Sequence, residues 1–270
     1  MSLRVCDLLR AADIDPLEAR VLLRSVLQTS DARIAAHPEQ MVTDDERSRY
    51  LALCERRRAG EPVAYLTGER EFYSLSFRIT PAVLIPRPET ELLVDLVLER
   101  APPDRALRVL DLATGSGCVA IAIARHREHA HLTATDVSRV ALALARENAA
   151  RHGVALELLA SDWFEGLAGR RFDVIAANPP YVAAGDTHLA EGDARFEPRH
   201  ALVAGPTGYE CIETLVAQAP RYLDPGGWIV FEHGHEQSVR CRDLLAGAGM
   251  REVFSARDLA GIERVSGGRV

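Results

Sequence analysis

The segment Asn178-Pro179-Pro180-Tyr181 carries the clearest chemical signal in the chain, and it directly follows a predicted buried strand at residues 172–177. In open α/β sheets, ligands bind outside the carboxyl ends of the strands, so the segment is placed where a transferred group would be held. The Asn178 side-chain oxygen and the Pro179 carbonyl oxygen can accept hydrogen bonds from both N–H groups of a planar nitrogen. Such acceptors shift electron density onto a nitrogen whose lone pair is otherwise delocalised.

The chemistry of this segment predicts which of its residues act and which bind. Asn178, Pro179 and Tyr181 are the predicted catalytic residues, with Tyr181 offering a flat face and a hydroxyl group. Pro179 and Pro180 keep the Pro179 carbonyl rigid and remove competing N–H donors. The planar nitrogen is at this point either an amide or the exocyclic amine of adenine.

A glycine-containing loop is the second candidate site, and it lies between a predicted strand at 107–112 and a predicted helix at 117–127. Its residues are Ala113, Thr114, Gly115, Ser116 and Gly117. Glycine lets the backbone approach a ligand closely, and a helix N-terminus supplies amides and a partial positive charge. Asp136 follows the next predicted strand, 131–135, and a carboxylate there can accept both ribose hydroxyls of an adenosine.

The glycine loop fits two kinds of cofactor. The pattern Gly115-x-Gly117-x-x-Ala120 also satisfies the dinucleotide fingerprint, which leaves an NAD-dependent oxidoreductase open. Asp111, at the end of the preceding strand, can face the methionine ammonium of S-adenosyl-L-methionine or brace the loop. Trp163 can stack on an adenine ring or pack in the core. The Asn-Pro-Pro-Tyr segment favours S-adenosyl-L-methionine, because a nicotinamide-dependent reaction leaves that segment without a role.

Eight stretches of the chain resemble the bacterial N5-glutamine methyltransferases of peptide-chain release factors, the HemK/PrmC family, and the likeness runs almost end to end. The stretches are EPVAYLTG (61–68), LIPRPETE (84–91), DLATGSGCV (111–119), NPPYV (178–182), RFEP (195–198), PGG (225–227), EHG (232–234) and DLAGIER (258–264). Together they are far more specific than Asn-Pro-Pro-Tyr alone.

This resemblance implies a fold, a cofactor and a substrate. The fold is α/β: a seven-stranded Rossmann-like class I methyltransferase domain with a small helical N-terminal domain and a connecting β-hairpin. The cofactor is S-adenosyl-L-methionine, and the acceptor is the glutamine of the Gly-Gly-Gln motif of class 1 release factors. The cofactor contacts it implies are Ala113, Thr114, Gly115, Ser116, Gly117, Asp136, Trp163 and Asn178. The substrate glutamine would meet Asn178 to Tyr181.

The chain departs from the family pattern at Ala113, where glycine is usual. Alanine excludes most conformations with positive φ, so a right-handed or β conformation is predicted at this position.

Three other enzymes and a binding module compete with the release-factor interpretation. A sister enzyme that methylates a ribosomal-protein glutamine shares Asn-Pro-Pro-Tyr, but residues 86–90 favour the release-factor branch. An N6-adenine methyltransferase would present a basic or aromatic surface that binds nucleic acid, and a net charge of −7 does not indicate such a surface. An NAD-dependent oxidoreductase leaves the tetrapeptide unexplained, and any turnover would exclude a module that merely senses S-adenosyl-L-methionine.

The elements that must position these residues change character along the chain. Residues 1–68 show helical periodicity and are predicted to form a helical N-terminal substrate-recognition domain. One of its helices is predicted to start at Thr43, with Glu46 completing a capping box. Residues 69–88 are predicted to form a β-hairpin and linker, and by the resemblance the hairpin and the first domain help to grip the release factor.

Residues 89–270 alternate strands with helices, as in a parallel sheet, and are predicted to form the methyltransferase domain. Within this range a helix is predicted over 208–222, and Pro225-Gly226-Gly227 is predicted to form a tight turn that leads into the fifth strand.

Composition sets limits on the remaining functions. The chain has 270 residues, of which 26% are charged, as is typical of a globular protein. Its basic residues other than histidine are all arginines. No apolar run long enough to span a membrane occurs, and a cytoplasmic location is expected. Five scattered cysteines predict free thiols, and neither they nor the histidines have metal-ligand spacing, so no metal is expected. His233 is interpreted as a local hydrogen-bonding residue rather than a catalytic base.

Overall fold

The computed structural model describes residues 3–270 and divides the chain into two compact units. One unit consists of the chain up to Glu69 together with His188–Phe196, and the other consists of Arg70–Thr187 and Glu197–Val270. The short segment His188–Phe196 therefore belongs with the N-terminal helices, although it lies far along the sequence. The functional roles given to residues 1–68, 69–88 and 89–270 remain predictions.

The first unit is a small helical cluster closed by one pair of two-residue strands. Its elements are β1 (Leu3–Arg4), α1 (Val5–Arg10), α2 (Pro16–Leu27), α3 (Asp31–Ala36), β2 (Met41–Val42), α4 (Asp44–Arg58) and α5 (Val63–Thr67). Helix α2 begins at Pro16 because the Asp15 carboxylate accepts hydrogen bonds from the next free backbone N–H groups. Thr43 and Glu46 form the capping box that the sequence predicts for α4.

The second unit contains a seven-stranded sheet, which confirms the predicted fold class. Ahead of it, β3 (Glu69–Phe72) and β4 (Leu75–Arg78) form the predicted hairpin. The later strands are β5 (Arg108–Leu112), β6 (His131–Asp136), β7 (Glu157–Ala160), β8 (Phe172–Ala177), β9 (Val182–Ala183), β10 (Val203–Gly205), β11 (Leu223–Glu232), β12 (Arg251–Arg257) and β13 (Glu263–Arg269). The sheet order is β12-β13-β11-β8-β5-β6-β7, with β9 and β10 forming a separate parallel pair.

Strand direction determines where a ligand can bind. Strands β11, β8, β5, β6 and β7 run parallel, and only β13 runs antiparallel to its neighbours. The carboxyl ends of the parallel strands therefore meet at one edge of the sheet. Buried apolar side chains of the strands and the flanking helices, among them Leu110, Ile175 and Phe231, form the core that holds this edge in place.

The helices of the second unit follow the strands, as the alternating pattern predicts. They are α6 (Glu91–Arg100), α7 (Cys118–His126), α8 (Arg139–His152), α9 (Arg199–Leu202), α10 (Glu210–Gln218) and α11 (Ser238–Gly247). A single 3₁₀ turn, Pro88–Thr90, precedes α6. No helix within residues 3–270 is both long enough and apolar enough to cross a membrane.

Two predicted boundaries are wrong, each for a local reason. The helix predicted over 208–222 ends at Gln218 and tightens into a 3₁₀ turn, because Pro220 has no N–H group to continue the α-helical bonding. The tight turn predicted at Pro225-Gly226-Gly227 lies inside strand β11. There it is an irregularity in the register with β8, with Gly226 at a φ of +81°.

Candidate active site

A cavity of about 240 Å³ lies at the carboxyl edge of the parallel strands. It brings together most of the residues that the sequence predicted, namely Ala113, Thr114, Gly115, Ser116, Asp136, Trp163, Asn178 and Pro180. Gly117, Pro179 and Tyr181 lie outside its lining. We call Asp111, Ala113, Thr114, Gly115, Ser116 and Asp136 the loop wall of the cavity, and Thr90, Asn178 and Pro180 its asparagine wall.

Asp136 ties the loop wall together at the end of β6. Its Oδ2 accepts a hydrogen bond from the backbone N–H of Gly115 at 2.9 Å, and its Oδ1 accepts one from Ser138 at 2.8 Å. A carboxylate oxygen carries two lone pairs, so both oxygens retain the capacity to accept a further hydrogen bond. Since Asp136 also lines the cavity, it can hold a pair of ligand hydroxyl groups while bracing the loop.

Asp111 is buried beneath the loop with only 1% of its surface exposed. The hydroxyl group of Thr114 donates to Asp111 Oδ2 at 2.6 Å, and Asp111 also lines the cavity. Burial raises the pKa of its carboxyl group to about 7, although the bond from Thr114 acts in the opposite direction. The residue therefore braces the loop and also presents a carboxyl group to the cavity, which joins the two interpretations that the sequence left open.

Ala113 contradicts the backbone conformation predicted for it. Its φ is +57°, in the left-handed region, where the sequence analysis expected a right-handed or β conformation. A residue with a Cβ atom costs about 1–2 kcal/mol in this region. The following residue, Thr114, donates its backbone N–H to Thr135 on the neighbouring strand at 2.9 Å, so the sheet holds the turn in place.

Gly117 acts through packing rather than through the lining of the cavity. Its φ is +82°, and a Cβ atom at this position would lie 3.1 Å from the Ala145 Cβ and 3.2 Å from the Ile121 Cδ1. Glycine therefore allows α7 to begin close against α8. A larger residue here would displace the start of α7, to which the loop wall is attached.

Asn178 is held by a residue that the sequence analysis did not select. Its Nδ2 donates to the hydroxyl oxygen of Thr90 at 3.2 Å, and both side chains line the cavity. A side-chain amide carries its oxygen and nitrogen on opposite edges, so this bond leaves Oδ1 to face another partner. The arrangement matches what the proposed acceptor role of Asn178 requires.

Tyr181 turns away from the cavity and packs against the core of the second unit. Its hydroxyl group donates to Glu232 Oε1 at 3.0 Å. Glu232 ends β11 and is fully buried, and burial raises the pKa of its carboxyl group to about 7. Burial and the neighbouring Glu232 also raise the pKa of Tyr181. The hydroxyl that the sequence assigned to orienting a substrate is thus bonded within the protein.

Thr90 and Glu232, which bond to Asn178 and Tyr181, were not among the site residues that the sequence predicted. Both lie within stretches that carried the family resemblance, 84–91 and 232–234, and the position of Glu232 at the end of a strand was the available signal. The next residue in the second stretch, His233, is fully buried. It bonds through Nδ1 to the Gly234 carbonyl and through Nε2 to the Ser266 hydroxyl, in agreement with its expected local role.

Trp163 lines the cavity and also packs against the core, so both of the uses considered for it have a structural basis. Its φ of +44° is unusual for an aromatic residue.

Among residues 3–270 there is no cluster of three His, Cys, Asp or Glu side chains arranged to bind a metal ion. All five cysteines are free thiols.

Two family models match the chain. Residues 88–197 match the model described as Methyltransferase small domain, and residues 4–68 match the one described as PrmC N-terminal domain. The two matched ranges fall on the alternating sheet and on the N-terminal helices respectively.

Relatives that share one name cover nearly the whole chain. A protein named release factor glutamine methyltransferase from Burkholderia pseudomallei is 49% identical over 271 residues, covering 98% of this chain and 95% of that protein. Another of the same name, from Bordetella pertussis, is 49% identical over 263 residues and covers 97% of each chain. A T. thermophilus 16S rRNA methyltransferase, solved in complex with AdoMet and guanosine, has a TM-score of 0.55. At 21% identity over 74% of this chain and 49% of that one, it shows the fold alone.

Proposed function

Because the chain belongs to the family of release factor glutamine methyltransferases, we propose that it methylates class 1 peptide-chain release factors. The methyl group passes from S-adenosyl-L-methionine to the side-chain amide nitrogen (N5) of the glutamine in the Gly-Gly-Gln motif. The observation that carries this proposal is the single cavity that the loop wall and the asparagine wall share.

The residues of the loop wall fit S-adenosyl-L-methionine. Asp136 has acceptor capacity for two ribose hydroxyls, and Asp111 presents a carboxyl group that suits an ammonium. Trp163 and the apolar side chains of Val119 and Val137 offer surfaces for an adenine ring. When bound, S-adenosyl-L-methionine supplies a methyl group activated by a positively charged sulfur.

The asparagine wall would act on the acceptor nitrogen. Asn178 Oδ1 and the Pro179 carbonyl oxygen would accept hydrogen bonds from the two N–H groups of the glutamine amide. These bonds would turn the nitrogen lone pair towards the methyl group. Thr90 keeps the Asn178 amide in the orientation that this requires. Pro180 lines the cavity and would contact the planar group, while Tyr181 anchors the end of the segment in the core.

The decisive experiment uses tritiated S-adenosyl-L-methionine with purified release factor, its Gln→Ala variant at the Gly-Gly-Gln motif, and nucleic acid. We expect label in the wild-type release factor only. Label in the Gln→Ala variant would show that another residue is the acceptor, and label only in nucleic acid would replace the proposed substrate with adenine.

We also propose that residues 1–68 recognise the release factor. Three large apolar side chains of this region are exposed: Leu17 at 73%, Met41 at 56% and Leu51 at 41%. Exposed apolar groups of this size often mark interaction sites. Leu17→Ser and Met41→Ser are expected to raise KM for the release factor several-fold and to leave KM for S-adenosyl-L-methionine unchanged; unchanged values of both would contradict the proposal. Since the proposed partners act in translation, a cytoplasmic location is part of the same proposal.

A further inference from the structure

Glu232 is fully buried, which is unusual for a glutamate residue. It lies at the end of β11, where Phe231 pairs with Ala177 of β8, and none of its surface is exposed. Its Oε1 accepts the hydrogen bond from Tyr181, but its Oε2 has no hydrogen-bond partner. Burying a carboxyl group with an unsatisfied oxygen costs free energy that an apolar residue would avoid. A fully buried glutamate at this position therefore calls for a role beyond packing.

The contacts of Glu232 lead to both ends of the Asn-Pro-Pro-Tyr segment. Tyr181, the last residue of the segment, donates directly to Oε1. The Thr90 side chain lies close enough to lower the pKa of the Glu232 carboxyl group, and its hydroxyl oxygen accepts the bond from Asn178, the first residue of the segment. The buried carboxyl group is thus bonded directly to Tyr181 and neighbours Thr90, the hydrogen-bond partner of Asn178.

The surroundings of Glu232 separate it from the ligands themselves. Glu232 does not line the cavity, whereas Thr90, Asn178 and Cys118 do. Charged groups of two other elements reach its carboxyl group: Glu89 raises its pKa and Arg264 lowers it. Its influence on the reaction must therefore pass through Thr90 and Tyr181.

We propose that Glu232 is a positioning residue, which holds Asn178 and the Pro179 carbonyl in the orientation needed for methyl transfer by anchoring Thr90 and Tyr181. This inference rests on the proposed function, since it assigns a support to the same acceptor site. Acceptors that drift by about 1 Å can slow a reaction on the order of 100-fold, so loss of this anchor is expected to affect turnover. The loop wall does not contact Glu232, so affinity for S-adenosyl-L-methionine is expected to change little.

The experiment compares Glu232→Leu with the matched control Glu232→Gln, which keeps a carbonyl oxygen for the Tyr181 hydroxyl. With release factor as substrate, Glu232→Leu is expected to lower kcat roughly 30- to 100-fold, as a misplaced reacting group does. Glu232→Gln should retain kcat within about fivefold, because the bond from Tyr181 persists. The Kd for S-adenosyl-L-methionine, measured by calorimetry, should remain within about threefold of wild type in both variants.

A double-mutant cycle tests whether Glu232 acts through Tyr181. Tyr181→Phe removes only the hydroxyl, and combining it with Glu232→Leu should cost little more than the worse single variant, because both break one connection. Costs that multiply would overturn the proposal. So would an unchanged kcat in Glu232→Leu, or a Glu232→Gln variant that is as impaired as Glu232→Leu.

A readout without release factor separates this inference from the proposed function. Amide hydrogen exchange at residues 181–183 should be faster in Glu232→Leu than in wild type and unchanged in Glu232→Gln. If Glu232→Leu does not fold, Tyr181→Phe provides the same exchange comparison. A wild-type enzyme that leaves release factor unlabelled would refute the proposed function, whereas equal exchange in wild type and in these variants would refute the positioning role.

Discussion

The loop wall and the asparagine wall face the same cavity, but hydrogen bonds of different reach along the chain hold them. In the loop wall, the Thr114 hydroxyl binds Asp111, and the Asp136 carboxylate binds the backbone N–H groups of Gly115 and Ser138, all within residues 111–138. Behind the asparagine wall, side chains bond to side chains across the fold: Asn178 to Thr90, and Tyr181, which follows Pro180, to Glu232.

This difference shows which substitutions each wall tolerates. The bonds of the loop wall join residues that lie close along the chain, so this wall depends on a few residues and on its backbone path. The bonds behind the asparagine wall join distant elements, so a substitution at Thr90 or Glu232 can disturb Asn178 or Tyr181. We expect variants of the loop wall to change cofactor affinity and variants of the asparagine wall to change turnover.

The largest effect is expected for Asn178→Ala. The variant loses one of the two acceptors for the amide nitrogen, and the loss of one such fixed group typically lowers kcat about 100- to 1,000-fold. Single-turnover transfer of tritium to the release factor measures it. Binding of S-adenosyl-L-methionine is the internal control and should weaken only modestly. Undiminished transfer would refute the acceptor role of Asn178, and with it the contrast between the walls.

Asp136→Ala tests the loop wall, and it is expected to change cofactor affinity rather than kcat, the reverse of Asn178→Ala. The variant loses the acceptors for two ribose hydroxyls and the brace on Gly115, so affinity for S-adenosyl-L-methionine should fall about 10- to 100-fold, as expected for charge-assisted hydrogen bonds. At saturating cofactor, kcat should recover to near the wild-type value. Titration calorimetry and saturation kinetics measure the two quantities. A kcat that stays low at saturation would mean that the walls are not separable.

A pH series sharpens the comparison, because each region contains a buried carboxyl group whose pKa is raised. Burial raises the pKa of both Asp111 and Glu232 to about 7, from ordinary values near 4. Between about pH 4 and pH 7 the folded protein holds protons that the unfolded chain has released, so these groups lower the free energy of unfolding as pH rises. Their stabilising contribution is complete below about pH 4 and lost above about pH 7.

Asp111→Asn and Glu232→Gln remove these titrations one at a time. Each variant should show a smaller loss of stability between pH 4.5 and pH 7.5 than wild type, by on the order of 3 kcal/mol. Urea unfolding at a series of pH values measures it. If the slope is the same in wild type and in a variant, the carboxyl group removed in that variant does not hold its proton in the folded state.

The smallest effect is expected for Ala113→Gly. Glycine relieves the cost of a positive φ, which is about 1–2 kcal/mol. It also gives the unfolded chain more conformational freedom, which lowers the free energy of unfolding by about 0.4–1 kcal/mol. The net result should be a stabilisation below about 1 kcal/mol with unchanged cofactor affinity. Ala143→Gly, at an exposed position within α8, is the matched control and should destabilise by about 1 kcal/mol. Destabilisation by both variants would show that Ala113 is not strained.

Much of the fold followed from patterns within short windows of sequence. Alternating strands and helices predicted the seven-stranded sheet, and the Thr43–Glu46 spacing predicted the start of α4. Predictions failed where a local sequence is compatible with two backbone conformations. Pro225-Gly226-Gly227 can form a turn or an irregular strand, and its pairing with β8 decides the matter. Ala113 avoids positive φ by itself, but the bond from Thr114 to Thr135 holds the turn against that preference.

The sequence by itself determined the chemistry of the site, because the glycine loop, Asp136 and Asn178 each follow a strand and parallel strands end at a common edge. Only the tertiary structure decided what supports Asn178 and Tyr181. Their partners lie 88 and 51 positions away along the chain, beyond the reach of any local pattern. Tyr181 and Glu232 come together because β11 pairs with β8, and that neighbourhood arises only when the sheet forms.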